Sequence, residues 1–472
     1  MNLSLKKTWI NCLVACLFVS LPVCADNKQG SSTTAADLAS LDVHFKQLSA
    51  RFYPKLIHFD KYAKADNIDS LVQHIGEYRK QNQLVLATAL IIRNLDLVEK
   101  YIDTTPIIKI NSTLLESNEW NTAVKLYNMI KSRADKSLVS NASLLMAEYY
   151  FSRNQWEKTI ETLDTIRGEL PPESYHHALL MHGISLQWLQ KHRPALQQYA
   201  KIPKTSAYYT AARLNMAVAD IRQDWWTDAH IIINDLINDK DRNGNNALTD
   251  RLYTVLGYSF LQQQYFRNSR DAFRNVGLDG PYTNKALLGI ALSAAYQDDF
   301  VGALNAVKIL KDKKGSDLPV DEANLLIPYF YEKLQQHATA SAGYVEAVKY
   351  YEDRINSINA LQIDSDDLLK QLTTSSADSV TINGEVVDLD DKLPKFFLEN
   401  VRMLAMIQPH IKRIGDATLL NEYTAIYTEY KTFLRRVTQE NLDKKVSYLT
   451  HYMNQSRYGL ARMQDNDATI PH

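Results

Sequence analysis

Cysteine is almost absent from this chain of 472 residues, and the three cysteines that it has are Cys12, Cys16 and Cys24. If the N-terminal segment is removed, as argued below, the remaining chain has no thiol. No disulfide and no thiolate metal site could then form. We therefore expect burial of apolar side chains to stabilise the fold.

Glycine and proline are also scarce, with 15 and 13 residues. Both fall below average usage, which is about 7% for glycine and about 5% for proline. This scarcity favours helices joined by short turns. The chain lacks an excess of either charge as well, since 53 basic residues face 54 acidic ones. Neither nucleic acid nor an anionic membrane surface is favoured by that balance.

Catalytic motifs are missing too. The sequence contains no HExxH, GxSxG or CxxC motif and no glycine-rich phosphate loop. His176, His177 and His182 are close in sequence, but their spacing does not place all three on one helical face. We therefore predict a protein that is not an enzyme and needs no cofactor, apart from the calcium ion considered below.

Long hydrophobic runs are limited to the start of the chain. Lys6 and Lys7 precede an apolar run over 10–21, and small side chains lead up to Ala25. This order is typical of a secretory signal peptide over 1–25, which predicts a periplasmic protein. The alternative is an outer-membrane lipoprotein, because 13–16 resembles a lipobox ending at Cys16. No later segment has the length and apolar character of a membrane span, so we predict no transmembrane segment after cleavage.

A pattern of small and aromatic residues recurs between residues 70 and 350. One column of small residues is spaced by 34 to 40 positions and comprises Ala87, Ala123, Thr159, Ala195, Ala229, Ser269, Ala303 and Ala340. A second column, twelve positions earlier, comprises Ala147, Gly183, Ala217, Gly257, Ala291 and Pro328, with Ile75 and Asn111 as departures. Two antiparallel helices approach closely only where side chains are small, so the columns predict stacked helix pairs.

The columns resemble those of the tetratricopeptide repeat (TPR) family. The small, aromatic and proline positions of that family match Ala147, Trp156 and Pro171, and they match again at Gly257, Phe266 and Pro281. The resemblance implies an all-α superhelical solenoid of antiparallel helix pairs over 70–350, in which 70–106 is a weak repeat. It also implies a protein that binds other proteins, and the predicted signal peptide would make it an exported member of the family.

Regions outside the period have their own patterns. We predict a linker and capping helix over 26–69, a helical region over 351–464 and a flexible tail over 465–472. Asn383-Gly384 between two β-branched runs predicts a small exposed β-hairpin near 380–389, with a disordered loop as the alternative. Apolar and small residues with 3,4 spacing form a seam on the last helix: Val446, Leu449, Met453, Ser456, Leu460 and Met463. The seam indicates either packing on the chain's own helices or a homodimer.

One segment resembles an EF-hand calcium loop. Oxygen-bearing side chains are spaced as in such a loop, with Gly244 at the sharp bend, and they belong to Asp239, Asp241, Asn243, Asn245 and Asp250. Asp250 replaces the usual longer glutamate, and Asn246 stands where paired loops have an apolar residue. A calcium site and a simple Asx-rich turn therefore both stay open.

The family resemblance also implies a binding groove, because the first helix of each pair lines its concave face. The groove residues carried over in this way are Phe151, His177, Trp188, Arg222, Arg251, Tyr258, Lys285, Tyr296 and Tyr329. Aromatic side chains with a few cations suit a protein or peptide partner. The alternative is that this surface, with Leu144, Leu180, Leu214, Leu288 and Leu325, packs on the chain's own C-terminal helices.

These observations predict a non-catalytic periplasmic scaffold or adaptor that binds an envelope protein or peptide in its groove. A peptidoglycan-associated accessory or glycan-degrading protein is the alternative.

Overall fold

The computed structural model describes residues 30–60, 64–166, 169–239, 246–313, 317–374, 379–389 and 393–468. These ranges contain 21 helices and one antiparallel sheet of two strands. The predicted all-α solenoid with a small hairpin is confirmed. The predicted signal peptide and the three cysteines lie outside the described residues.

The N-terminal helix is α1 (Gly30–Asp60). The repeat helices are α2 (Ile68–Lys80), α3 (Leu84–Arg93), α4 (Leu95–Lys100), α5 (Pro106–Glu116), α6 (Trp120–Arg133), α7 (Lys136–Ser152), α8 (Trp156–Leu163), α9 (Pro172–Trp188), α10 (His192–Tyr199), α11 (Tyr209–Arg222), α12 (Trp226–Ile237), α13 (Asn246–Gln262), α14 (Phe266–Phe273), α15 (Thr283–Ala295), α16 (Phe300–Lys311), α17 (Leu318–Lys333) and α18 (His337–Asn359). After them come α19 (Ser365–Thr374), β1 (Ser379–Ile382), β2 (Glu385–Asp388), α20 (Lys395–Ile414) and α21 (Ala417–Ala468).

A single left-handed residue marks the turn inside each helix pair. These residues have φ between 53° and 63° and are Asn82, Asn118, Asn154, Gln190, Asp224, Gln264, Asp298 and Gln335. Each stands five positions before a residue of the first small column. The following amide closes the turn on the helix before it, as in the bond from the Gln83 nitrogen to the Tyr78 oxygen at 2.8 Å. This is the Schellman arrangement, and it recurs in the first two repeats, so eight helix pairs share one register.

The small columns are the places where helices touch. A Cβ added at Gly183 would lie 2.3 Å from the Tyr199 ring, and one added at Gly257 would lie 2.6 Å from the Phe273 ring. Ala87, Ala123, Ala195 and Ala303 are fully buried. The sequence columns thus report close helix packing, which larger side chains would prevent.

The first and last long helices form an antiparallel coiled coil. Buried residues on α1 follow a 4,3,4 spacing at Leu41, Phe45, Leu48 and Phe52. They pack in one cluster with residues of α20 and α21. Polar contacts flank this seam at steps of seven residues on both helices. Ion pairs join Asp37 to Arg436 and Arg51 to Glu422, and a hydrogen bond joins His44 to Glu429. This is the charge placement expected beside a coiled-coil core.

A buried polar cluster, which we call the clasp, joins both ends of the chain to the second and third helix pairs. Asn118 Nδ2 donates to Asp42 Oδ1 of α1 and to Asn400 Oδ1 of α20, each at 3.0 Å. Asn400 Nδ2 in turn donates to the Tyr430 hydroxyl of α21 at 2.9 Å. The Arg153 guanidinium lies 3.6 Å from Asp42 and 5.5 Å from the ring centre of Phe396 on α20.

Helix α21 continues from the clasp to the far end of the solenoid. Its second half packs on α17 and α18. On the predicted seam, Leu449, Ser456 and Met463 are buried. Val446, Met453 and Leu460 pack against the same core. Of the two interpretations of the seam, the structure shows packing on the chain's own helices, and a homodimer stays a prediction. The helix extends to Ala468, so the predicted flexible tail begins as helix.

The predicted hairpin is present but is not an exposed element, which corrects the prediction. Asn383 and Gly384 both have positive φ, as a type I′ turn requires. Val380, Ile382 and Val387 are nevertheless buried. The buried Glu385 accepts a bond from Arg354 Nη1 of α18 at 2.9 Å and also pairs with Lys445 of α21. The hairpin therefore fastens the last repeat to the final helix.

Candidate functional site

Four side chains share one position of the repeat, two residues before the left-handed turn. They are Trp188 on α9, Arg222 on α11, Lys333 at the end of α17 and Tyr296, the residue directly after α15. Tyr296 and Lys333 line a cavity whose other wall is α21. By the regularity of the repeat, Trp188 and Arg222 point to the same side of the solenoid, which is the predicted concave face.

The chain's own helices cover this face at its far end, and it is open over the first helices of the preceding pairs. At the near end, α1 and α20 pack on α3, the second helix of the first pair, and α20 contacts the first helices only at the end of α7, through Phe396. At the other end α21 packs on α17 and α18. The first helices between these ends, α9, α11 and α13, pack mainly on neighbouring repeat helices. We call the stretch from α7 to α13 the open face.

Aromatic residues at one end of the open face stack on one another. The rings of Trp188 and Trp156 lie 5.2 Å apart and are nearly parallel. Phe151 meets Trp156 edge to face at 5.5 Å. Phe151, Trp156 and Trp188 are all partly exposed. Stacking holds these rings in fixed orientations, so a partner would meet a preformed apolar surface.

Nitrogen-bearing side chains occupy a second shared position, thirteen residues before the turn. His177, Arg251 and Lys285 stand there, and all three are partly exposed. His177 Nδ1 lies 3.1 Å from Glu148, and the His177 ring stacks on Tyr208 at 4.9 Å. The open face and its border towards α15 therefore combine aromatic surface with cations.

Tyr258 does not belong to the groove, which corrects the prediction. Its side chain is only 2% exposed and meets Phe273 edge to face at 4.6 Å. Its hydroxyl donates to the backbone oxygen of Lys285 at 2.7 Å. Tyr329 has the same repeat position but stays partly exposed.

In the alternative interpretation, the chain's own C-terminal helices fill the groove. The structure shows such filling only at the far end, where α21 lies. Leu325 joins the cluster that contains α1, α20 and α21. Leu144, Leu180 and Leu288 are buried within repeat clusters, and Leu214 packs partly buried against another. Tyr296 and Tyr329 face α21 across the cavity. These two predicted groove residues are thus separated from the open face.

The cavity between α15, α17 and α21 has a volume of about 550 Å³. Its floor is apolar and includes Leu292, Leu325 and Phe330. Burial raises the pKa of the Tyr329 hydroxyl, and Glu332 raises it further while Arg462 opposes the change. A cavity of this size with a few polar groups at its edge is typical of ligand sites.

A buried acidic group lies where α17 meets α21. Glu322 is 4% exposed, and the Tyr452 hydroxyl of α21 donates to its Oε2 at 3.3 Å. Burial raises the pKa of Glu322 to about 7, and the bond from Tyr452 offsets part of this effect. Its neighbour Asp321 is fully buried and accepts a bond from the Tyr350 hydroxyl at 2.6 Å.

Only two of the five calcium-loop residues belong to the described part of the chain. Asp250 Oδ1 accepts a bond from the Gly277 nitrogen at 2.9 Å, and Asp239 Oδ1 lies 3.2 Å from Lys204 Nζ. Asp241, Asn243 and Asn245 lie outside the described residues. Within the described ranges, no three histidine, cysteine or acidic side chains are grouped as metal ligands. Calcium binding stays a prediction.

Neither the column of left-handed turn residues nor the clasp was predicted from the sequence. The left-handed turn residues have a sequence signal, since the turn position is asparagine, aspartate or glutamine in all eight helix pairs. The clasp has none, because Asp42, Asn118 and Asn400 are connected only by the fold.

The repeat register, the small columns and the shared concave side define a TPR-like helical solenoid. No family model and no curated protein matches the sequence. Within the described ranges, none of the helices is long and apolar enough to cross a membrane.

Solved structures of similar fold include three bacterial proteins. One is the C-terminal part of a TPR repeat-containing protein from Cytophaga hutchinsonii, with 14% identity, a TM-score of 0.44 and coverage of 51% of this chain and 94% of that one. Another is a tetratricopeptide repeat protein from Parabacteroides merdae, with 16% identity, a TM-score of 0.36 and coverage of 56% and 99%. The third is the apo quorum sensor NprR from B. thuringiensis, with 10% identity, a TM-score of 0.34 and coverage of 70% and 96%.

Proposed function

We propose that this protein is a non-catalytic periplasmic adaptor that holds a segment of an envelope protein on its open face. The observation that carries the proposal is the contrast along the concave side. Helix α21 covers the far end, whereas Phe151, Trp188, Arg222 and Arg251 stay partly exposed on the open face.

The chemistry of the open face indicates the kind of segment that it would hold. Stacked Trp156 and Trp188 offer apolar area with little rotational freedom to lose. Arg222, Arg251 and the neighbouring Lys285 offer positive charge. We therefore expect an extended or helical segment with apolar side chains and acidic neighbours.

Charge reversal tests the open face. The triple variant Arg222→Glu, Arg251→Glu, Lys285→Glu should abolish recovery of the crosslinked partner from intact cells. A matched control reverses Lys131, Lys158 and Arg267, which are exposed on the second helices α6, α8 and α14. Equal recovery with both variants would refute the open-face assignment.

Two further measurements test the remaining parts of the proposal. Fractionation of cells that express the full chain should place the processed protein in the periplasmic fraction, and recovery with outer membranes would support a lipoprotein instead. The purified protein should stay in the supernatant when isolated peptidoglycan is sedimented. Co-sedimentation would favour the glycan-associated alternative.

We also keep calcium binding at the Asp239–Asp250 loop as a proposal. The spacing of oxygen donors supports it, and Gly244 would permit the bend. Calorimetric titration with Ca²⁺ should show heat and a raised melting temperature, both of which Asp241→Asn should reduce. Absence of both effects in the wild type would end the idea.

A further inference from the structure

The cavity between α15, α17 and α21 lies outside the open face, and its two walls come from different parts of the chain. The repeat wall carries Tyr296 and Tyr329, and the α21 wall carries Asn454 and Tyr458. We refer to it as the composite cavity. It exists only where the final helix lies against the solenoid, so the repeat pattern alone does not create it.

Apolar and aromatic side chains form most of the composite cavity. Leu292, Leu325 and Phe330 are buried and form its floor. On the walls, Tyr329 is partly exposed, and Tyr458 is 68% exposed, which leaves a large ring in water. A ligand with an apolar body would cover these rings and remove their surface from water.

The size of the composite cavity limits what it can hold. A Cβ added at Gly459 would lie 2.5 Å from the Tyr344 ring, so α21 and α18 are in close contact and close one end. The volume of about 550 Å³ lies within the range of small-molecule sites. A compact small molecule therefore fits this cavity better than an extended protein segment.

The charged groups beside the composite cavity compensate one another. Arg462 Nη2 donates to Glu332 Oε2 at 2.5 Å, so this guanidinium already has its counter-ion. Lys333 and Asp298 both belong to the lining, and Lys333 Nζ lies 5.4 Å from the ring centre of Tyr329. Burial raises the pKa of the Tyr329 hydroxyl, and Asp298 raises it further, which places this carboxylate near the same residue. Two bases therefore face two acids.

This balance makes a charged ligand unfavourable. An anion would lose its water without gaining an unpaired cation in exchange. A cation would meet aromatic faces that the chain's own cations already occupy, since Arg462 Cζ lies 5.6 Å from the ring centre of Tyr458, as Lys333 does beside Tyr329.

The remaining polar groups of the lining are uncharged. Asn454 and Gln455 present side-chain amides from α21. The Gln455 amide nitrogen donates to His451 Nε2 at 2.7 Å, so the imidazole accepts this bond as an uncharged ring. These groups can exchange hydrogen bonds with a hydroxyl, carbonyl or amide of a ligand.

We propose that the composite cavity binds a small uncharged ligand with an apolar, ring-containing body and one polar end. The body rests on Leu292, Leu325 and Phe330, and the polar end lies towards Asn454 and Gln455. The proposal does not depend on the adaptor function, since the open face and the composite cavity share no residue.

A neutral dye and three competitors of matched shape test the proposal on the full-length protein. N-phenyl-1-naphthylamine should bind at one saturable site per chain. The competitors are 2-naphthamide, 2-naphthoate and 2-naphthylmethylammonium, which are neutral, anionic and cationic. The neutral competitor should displace the dye at about tenfold lower concentration than either ion, because burial of an unpaired charge is costly.

Tyr458→Ala tests the location of the dye. The side chain is exposed at the edge of the cavity, so folding should be unaffected. We expect binding of the dye to weaken by about fivefold, as for loss of one aromatic contact. The control is Tyr265→Ala, at an exposed turn outside the cavity, which should leave binding unchanged.

Two further variants test the charge balance, because each leaves one charge of the edge without its opposite. Lys333→Gln should improve competition by the cation about threefold, and Asp298→Asn should do the same for the anion. Lys308→Gln is the control for the first, since its amine lies over the Tyr331 ring outside the cavity. Asp224→Asn is the control for the second, because both aspartates occupy left-handed turns, with φ of 58° and 57°.

Melting temperatures of all variants should match the wild type, which excludes dye binding to unfolded chain. Three outcomes would overturn the proposal. They are absent or non-saturating binding of the neutral dye, competition by either ion as strong as by the neutral competitor, and equal effects of the edge variants and their controls.

Discussion

Asp42 and Asn118 are 76 positions apart, yet Asn118 Nδ2 donates a hydrogen bond of 3.0 Å to Asp42 Oδ1 inside the clasp. Burial raises the pKa of Asp42, but Arg153 and Lys46 together lower it below the usual value. Asp42 is therefore ionised in the folded protein. It connects α1 to the left-handed turn of the second helix pair.

Asp42→Asn should destabilise the protein by about 3 kcal/mol, because Arg153 and Lys46 would keep their charges in a buried site without the carboxylate. The free energy of unfolding from urea denaturation measures the effect. Asp37→Asn is the matched control on the same helix. Its partner Arg436 is partly exposed, so we expect a loss below about 1 kcal/mol. Equal losses would show that the clasp has no special role.

Glu322 should make stability depend on pH. Its pKa in the folded protein is about 7, against an ordinary value of 4.5, so the folded state holds a proton that the unfolded chain releases. The contribution to stability is fully present below about pH 4.5 and is lost as the pH rises through about 7.

Glu322→Gln mimics the protonated form and should remove this dependence. The variant should match the wild type near pH 4 and exceed it near pH 8 by up to about 3 kcal/mol, the equivalent of the pKa shift. Denaturation at both pH values is the measurement. Glu352→Gln changes a half-exposed partner of Arg457 and should show no such difference. A wild-type advantage near pH 8 would contradict the assignment.

Asn111→Ala should stabilise the protein. The Asn111 side chain is fully buried on α5, and both of its amide atoms lack a hydrogen-bond partner in the described part of the chain. Five of the other repeats have alanine or glycine at this position, so alanine fits the helix contact. We expect a gain of about 1 kcal/mol from removing the unsatisfied groups, measured by thermal unfolding.

Asn400 supplies the comparison for this variant. It is equally buried, but it bonds with Asp42, Asn118 and Tyr430. Asn400→Ala should therefore lower stability by about 2 kcal/mol, because its partners would stay buried. A loss of stability in both variants would mean that Asn111 also has a partner.

Gln264→Gly should also stabilise the protein. Gln264 has φ of 63°, a left-handed conformation that is sterically unfavourable for a residue with a Cβ atom but not for glycine. We expect a gain of about 1 kcal/mol in the free energy of unfolding. Gln262→Gly, two residues earlier at the end of α13, should instead cost up to about 1 kcal/mol. If both substitutions destabilise, the left-handed turn is not maintained in solution.

The repeats could be predicted from the sequence because close packing requires small side chains at a fixed period. Ala147 and Gly257 are visible in the sequence for that reason. The clasp could not be predicted, since a single hydrogen bond between Asp42 and Asn118 produces no periodic pattern in the sequence. The sequence shows the heptad spacing of Leu41, Phe45, Leu48 and Phe52, but it does not show which helix packs against these residues.

The candidate groove was predicted only in part, and the reason is local. Trp188 and Arg222 lie on the predicted side, because the repeat fixes the direction in which a position points. Tyr258 shares a position with Tyr329 but is buried, and its hydroxyl donates a hydrogen bond to the backbone oxygen of Lys285. The surroundings of each side chain decide whether the same repeat position holds a partly exposed residue or a core residue. A repeat register does not contain that information.

Helix α21 meets α1 at one end and the last repeat at the other, over a length of about 78 Å for its 52 residues. An open solenoid can lose or gain a pair of helices and keep its contacts, since each pair touches only its neighbours. Helix α21 removes that freedom, because it connects the two ends of the solenoid. With one pair more or fewer, α21 could not keep both the clasp and its packing on α17 and α18, so the length of α21 restricts the number of repeats.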